Sequence, residues 1–68
     1  MIILSDHAEK RRGQRGLTDL EIELVIRSPI WEKKRDDGRK EVYGIARNRH
    51  IKVLYEEKES YLRIVKVI

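Results

Sequence analysis

Sixty-eight residues give room for one small domain, near the size at which a lone hydrophobic core only just suffices, so a homodimer or a bound partner would add stability. The chain is 41% charged with a formal net charge of +4, a balance that favours polyanions such as RNA through counterion release. It has no cysteine, which excludes disulfides and thiolate metal sites and agrees with a reducing cytoplasm.

In chain order, Met1-Ile2-Ile3-Leu4 is too short for a signal peptide or a membrane span; Ile2-Ile3-Leu4 reads as a short strand, and the expectation is a cytoplasmic protein. Ser5 or Asp6 then caps a first helix by accepting its free N–H groups. That helix runs to about Arg15, where Gly16 takes the left-handed conformation and Leu17 adds the apolar contact that accompanies such a stop. Thr18-Asp19-Leu20-Glu21 is a capping box, with Leu17 and Ile22 placed to form a hydrophobic staple. The second helix, residues 18–27, carries Leu20, Ile22, Leu24, Val25 and Ile26. This arc is too wide for one interface and predicts a central core helix. Pro29 ends it, because its ring disfavours helical geometry at Ser28.

Extended structure follows. Residues 30–35, Asp36-Asp37-Gly38 and residues 39–47 read as a hairpin, since Asp-Gly suits a tight turn. Asn48-Arg49 turns the chain again. Residues 50–56 alternate Ile51, Val53 and Tyr55 with His50, Lys52 and Glu56, and a polar turn leads to a last strand over residues 61–68. The expected fold class is α+β: one domain over residues 1–68 with a short strand, two helices and a three- to four-stranded antiparallel meander, the helices covering one sheet face. Which face is open to argument, because Val42, Gly44 and Ala46 oppose Tyr43, Ile45 and Arg47 and both sets include small or apolar members.

The chemistry concentrates in the first helix. His7, Arg11 and Arg15 stand at i, i+4 and i+8 in a segment whose single core candidate is Ala8, so one stripe carries an imidazole and two guanidiniums. Such a stripe suits an anion. Arginine can grip phosphate through two planar donors, and an imidazole ordinarily titrates near neutral pH. Metal-free RNA cleavage needs a base for the 2′-hydroxyl, an acid for the leaving 5′-oxygen and cations around the phosphate. His7, Arg11 and Arg15 are the catalytic candidates, Arg39 and Arg63 can bind substrate from the sheet, and Tyr43, with Tyr55 and Tyr61, can stack bases. The basic segments around Arg35, Arg39 and Lys52 converge with the helix on one face, or else they solvate the sheet. Duller readings stand beside these: Arg11 and Arg15 pair with Glu9, Asp19 or Glu23, His50 is an exposed polar position, and Trp31, which can anchor a nucleotide, belongs rather to the core, with a place facing Gly44 across the hairpin as one option. His7 and His50 alone make a poor metal site. No metal and no cofactor are expected.

The run His7-Ala8-x-x-Arg11-x-x-x-Arg15-Gly16-Leu17, followed by a capped helix, a proline, an Asp-Gly-Arg turn and a valine-rich meander, resembles a family of small proteins known as a domain of unknown function and placed near the RelE-like toxins. It is also similar to the BrnT toxins. Arg15-Gly16-Leu17 resembles their turn before a helix, Arg39 ahead of Gly44 their strand arginine, and Lys52-Val53-Leu54-Tyr55-Glu56 and Leu62-Arg63-Ile64-Val65-Lys66 their later strands. BrnT-like proteins do not generally show His7, and only Lys66 stands where they carry a basic residue after the last strand. The resemblance implies a RelE-like fold and a metal-independent endoribonuclease toxin with an antitoxin as protein partner and RNA, free or ribosome-bound, as substrate. A noncatalytic nucleic-acid- or protein-binding module and a purely structural, oligomerising domain are the alternatives.

Overall fold

In the computed structural model, which describes residues 1–68, the elements follow in the order β1 (Ile2–Leu4), α1 (Asp6–Arg15), α2 (Asp19–Arg27), β2 (Trp31–Lys34), β3 (Lys40–Ala46), β4 (Arg49–Glu57) and β5 (Leu62–Val67). The strands form one sheet in the order β1-β5-β4-β3-β2. β1 lies parallel to β5, and every other pair is antiparallel. The class is α+β as expected, but the sheet is five-stranded, mixed and open instead of a three- to four-stranded antiparallel meander. The physical reason is β1: lying beside β5 packs Ile2 and Leu4 against the core and pairs their backbone groups.

Local chemistry sets both helices. Ser5 caps α1, its Oγ accepting from the Ala8 N–H at 3.1 Å, while its own N–H and hydroxyl donate to the carbonyls of Ile64 and Val65 at 2.9 and 2.8 Å. Gly16 ends α1 at φ 64°, and bonds from Gly16 to Gly13 and from Leu17 to Arg12 make a Schellman motif. Thr18 and Glu21 form the reciprocal capping box of α2. Leu17 and Ile22 both enter the core.

The helices lie on one face of the sheet. Val42, Gly44 and Ala46 of β3, Ile51, Val53 and Tyr55 of β4 and Ile64 and Val67 of β5 face them and are buried. Gly44 is the point of closest approach: a Cβ there would stand 3.2 Å from a Val25 methyl. This settles the choice of face, because only the small-residue side of β3 admits a helix so near. α2 covers β3 and β4 with Ile22 and Val25, yet Leu20 and Leu24 remain exposed. It is therefore a surface helix, not the central core helix that its composition suggests.

Two turns complete the sheet. Residues 36–38 close the β2–β3 hairpin, with Arg35 and Arg39 joined by a main-chain bond of 2.8 Å. Between β3 and β4 the turn is Arg47-Asn48, one residue earlier than expected, and both residues have positive φ (52° and 65°). That is the two-residue turn whose twist matches antiparallel strands. A bulge at Val65 shifts the β4–β5 register, so that Tyr55 pairs with Ile64 but Leu54 with Lys66. Without the bulge, alternation would turn Lys66 inward and Val67 outward. No helix is long and apolar enough to cross a membrane.

Candidate functional site

α1 presents two different surfaces. Its inward side holds Ala8, fully buried, and its outward side holds His7, Lys10, Arg11 and Gln14. These four, with Lys66 and residues 67–68, line a shallow hollow of about 470 Å³ between α1 and the end of β5. No acidic side chain lines it. Lys10, Arg11 and Lys66 take part in none of the ion pairs of the chain, which fall instead on Arg12, Arg35, Arg39, Lys40, Lys52 and Arg63. The hollow thus concentrates three uncompensated cations and one imidazole, an arrangement that lowers the energy of a bound polyanion.

Arg15 is not part of it. Its guanidinium donates to the main-chain oxygens of Ile68 at 2.6 Å and His50 at 2.9 Å, tying the end of α1 to β4 and to the end of β5. Helix geometry explains the departure: at 3.6 residues per turn a position at i+8 drifts about 80° around the axis, which carries Arg15 toward the side of Ala8. Arg49 complements this tie by donating to the carbonyls of Arg15 and Gly16 at 2.6 and 3.1 Å, the free acceptors at the negative end of α1. Glu9 and Asp19 pair with Arg12, not with Arg11 or Arg15. The bond to Glu9 holds the Arg12 guanidinium above its ordinary pKa.

Arg39 and Arg63 lie elsewhere. Both reach Glu56, at 3.5 and 3.1 Å, on the sheet face that carries no helix. Arg63 chiefly, and Arg39 less, hold the Glu56 carboxyl below its usual range. Lys40 belongs to a separate pairing with Glu57 at 2.6 Å. The basic segments therefore do not converge with α1 on one face, because alternation along β3 and β5 sends their side chains to different sides. Tyr55 is buried in the core, and desolvation pushes its phenol up; it is not available to stack a base.

Tyr43 does face the helix-free side. Its hydroxyl and His50 Nδ1 are hydrogen-bonded partners, and Trp31 stands opposite it in register. Trp31 is 41% exposed, which overturns its expected place in the core. It pairs with Tyr43, not Gly44, because the helix side of Gly44 is filled by Val25 and β2 is an edge strand that nothing covers.

A family model described as a domain of unknown function, DUF4258, matches residues 4–68. The chain belongs to the DUF4258 family. No curated protein and no solved structure matches it. Within this DUF4258 domain the geometry joins His7 and Arg11, two of the three residues of the stripe, and adds Lys10 and Gln14, which sequence reasoning missed, and Lys66, which it named only through the resemblance to the BrnT toxins. Lys10 and Gln14 were legible as the i+3 and i+7 neighbours of His7. Lys66 was not, since only the bulge brings it there. Sequence reasoning places Trp31 in the core because its exposure depends on which side of β3 faces the helices, and it passes over His50 for want of the β3–β4 register, which the Arg47-Asn48 turn fixes. No group of three or more histidine, cysteine or acidic residues in the DUF4258 domain stands close enough to hold a metal ion.

Proposed function

We propose that this domain is a metal-independent endoribonuclease of the toxin–antitoxin kind, with an RNA phosphate seated in the hollow between α1 and β5. The observation that carries the reading is the grouping of His7 with three cations that pair with no Asp or Glu side chain. In the reaction the ribose 2′-oxygen loses its proton and attacks phosphorus, and the 5′-oxygen leaves with a proton, giving a 2′,3′-cyclic phosphate and a 5′-hydroxyl. His7 transfers one of these protons and water the other. Arg11, Lys10 and Lys66 stabilise the charge that builds on the phosphoryl oxygens. RNA is favoured over DNA because the internal 2′-hydroxyl supplies the nucleophile. The resemblance to the RelE-like and BrnT toxins supports the same reading and implies an antitoxin that covers the site.

Purified protein incubated with RNA or translating ribosomes in EDTA tests it. Cleavage is expected, His7→Ala abolishes it with the fold intact, and Arg12→Ala, on the opposite side of α1, retains it. Unchanged RNA at high protein concentration refutes the activity. A second reading, RNA binding without turnover, is favoured by one observation: the His7 ring makes no hydrogen bond within the chain that would fix its orientation. Salt-sensitive binding with no product selects that reading.

A further inference from the structure

The helix-free face of the sheet carries three rings in a row, one from each of three adjacent strands. Trp31 and Tyr43 have centroids 6.0 Å apart with planes 24° from parallel, and Tyr43 and His50 follow at 5.9 Å and 25°. The row is held in place. Trp31 and Tyr43 are register partners, the Tyr43 hydroxyl bonds His50 Nδ1, and the Lys52 ammonium stands 5.7 Å from the Trp31 ring centroid. Ile45, register partner of His50, adds an apolar side chain that is half exposed. No helix covers this surface, and Trp31 stays 41% exposed, although an indole is among the costliest side chains to leave in water.

The charge around the rings identifies what covers it. By register the same face carries Lys33, Lys52, Arg39 and Arg63, and its carboxylates are Glu41 and Glu56. Each carboxylate is already bracketed by two cations: Glu41 by Arg35 and Lys52 at 3.8 and 3.5 Å, Glu56 by Arg39 and Arg63 at 3.5 and 3.1 Å. A positively charged face with a line of aromatic rings matches a polyanion that also offers flat apolar surfaces. Single-stranded nucleic acid has both, whereas a duplex keeps its base faces stacked on one another.

We propose that Trp31, Tyr43 and His50 form a stacking platform for the unpaired bases of single-stranded RNA whose backbone occupies the α1–β5 hollow. The proposal rests on the reading of that hollow as an RNA site and gives it a substrate class. The two surfaces adjoin where β4 meets the end of β5. Ile68, at the hollow, exchanges both main-chain hydrogen bonds with Lys52 at 3.2 and 2.8 Å, and Arg15 binds the main-chain oxygens of both Ile68 and His50. One strand passing the end of β5 reaches cations first and rings next.

Trp31 is the sole tryptophan and so reports on its own occupancy. The full chain is titrated with a 2′-O-methylated uridine oligonucleotide, which lacks the attacking hydroxyl, with an abasic strand of the same length and with an RNA duplex. The uridine strand is expected to quench Trp31 fluorescence, and the abasic strand and the duplex to bind without quenching. Trp31→Leu and Tyr43→Leu are each expected to weaken the uridine strand about tenfold, within the range for one base on one ring, and to leave the abasic strand unaffected. Trp31→Phe, which keeps a ring, restores most of the affinity, and a far-UV spectrum unchanged from wild type shows each variant folded. Equal affinity of the wild-type chain for uridine and abasic strands overturns the proposal, as does equal weakening of both strands by Trp31→Leu. RNA cleavage that persists alongside that result leaves the hollow's reading standing, and quenching without any cleavage leaves the platform standing and refutes the nuclease.

Discussion

α1 and α2 are held to the same sheet by different forces. α2 is fastened by apolar packing, with Ile22 fully buried and Val25 pressed against Gly44. α1 buries only Ala8 along its length and is fastened at its ends: Ser5 to Ile64 and Val65 at the start, Arg15 and Arg49 to main-chain oxygens at the finish. The difference teaches why α1 carries the candidate chemistry. A helix pinned at its termini by directional bonds need not give its flank to the core, and that flank is then free to hold His7, Lys10 and Arg11 toward solvent.

Breaking the apolar side of this contrast has the largest effect. Ile22→Ala is expected to cost about 2–5 kcal/mol, from lost transfer energy plus the cavity left under α2, read from chemical denaturation. A loss below the bottom of that range would mean that α2 is not the packed helix of the pair. Arg15→Ala removes two bonds to main-chain oxygens at the end of α1 and is expected to cost about 1 kcal/mol. Hydrogen exchange should locate the loosening in the last turn of α1; protection unchanged there would show that the helix is held by something other than its ends.

Acid separates the two helices in another way. The Thr18 N–H, the largest influence, and its hydroxyl hold the buried Glu21 carboxyl below the ordinary glutamate value of about 4.5, with help from Arg49 and Arg47. A lowered folded-state pKa means stability that is present above the unfolded value and lost as pH falls through the folded one. Wild-type melting temperature should therefore be level near neutrality and fall below about pH 4.5. Glu56 and Glu57, lowered by Arg63 and Lys40, contribute in the same window. Glu21→Gln should flatten part of that fall, with the two melting curves converging at low pH; parallel curves throughout would refute the role of the capping box. The smallest effect on folding is expected at Arg11. Arg11→Ala should change stability by less than about 0.5 kcal/mol while reducing the salt slope of RNA binding by about 1, whereas Arg12→Ala should lower the melting temperature and leave that slope alone.

What the sequence made legible was local. Ser5, Gly16-Leu17 and the Thr18–Glu21 box are chemical signals confined to a few residues, and each helix end falls where they put it. The hairpin at Asp37-Gly38 was legible for the same reason. What was not legible depends on contacts far apart in the chain. The parallel pairing of β1 with β5 joins residues about sixty positions apart, and no periodicity in a tripeptide announces it. The exposure of Trp31 follows from which side of β3 faces the helices, a choice made by the Val25–Gly44 contact. In the candidate site, the relation of His7 to Arg11 followed from helical spacing alone. Arg15 did not remain with them because the spacing accumulates rotation, and Arg39 and Arg63 could be assigned a face only once register was known.

The irregularity at Val65 has a mechanical consequence. It re-phases the tail of β5, which aims Lys66, and its carbonyl also receives the hydroxyl that starts α1. Two walls of the hollow, drawn from opposite ends of the polypeptide, are thus indexed to a single notch in the sheet, so any change that slides that notch by one residue would re-aim both walls at once while leaving most of the interior undisturbed.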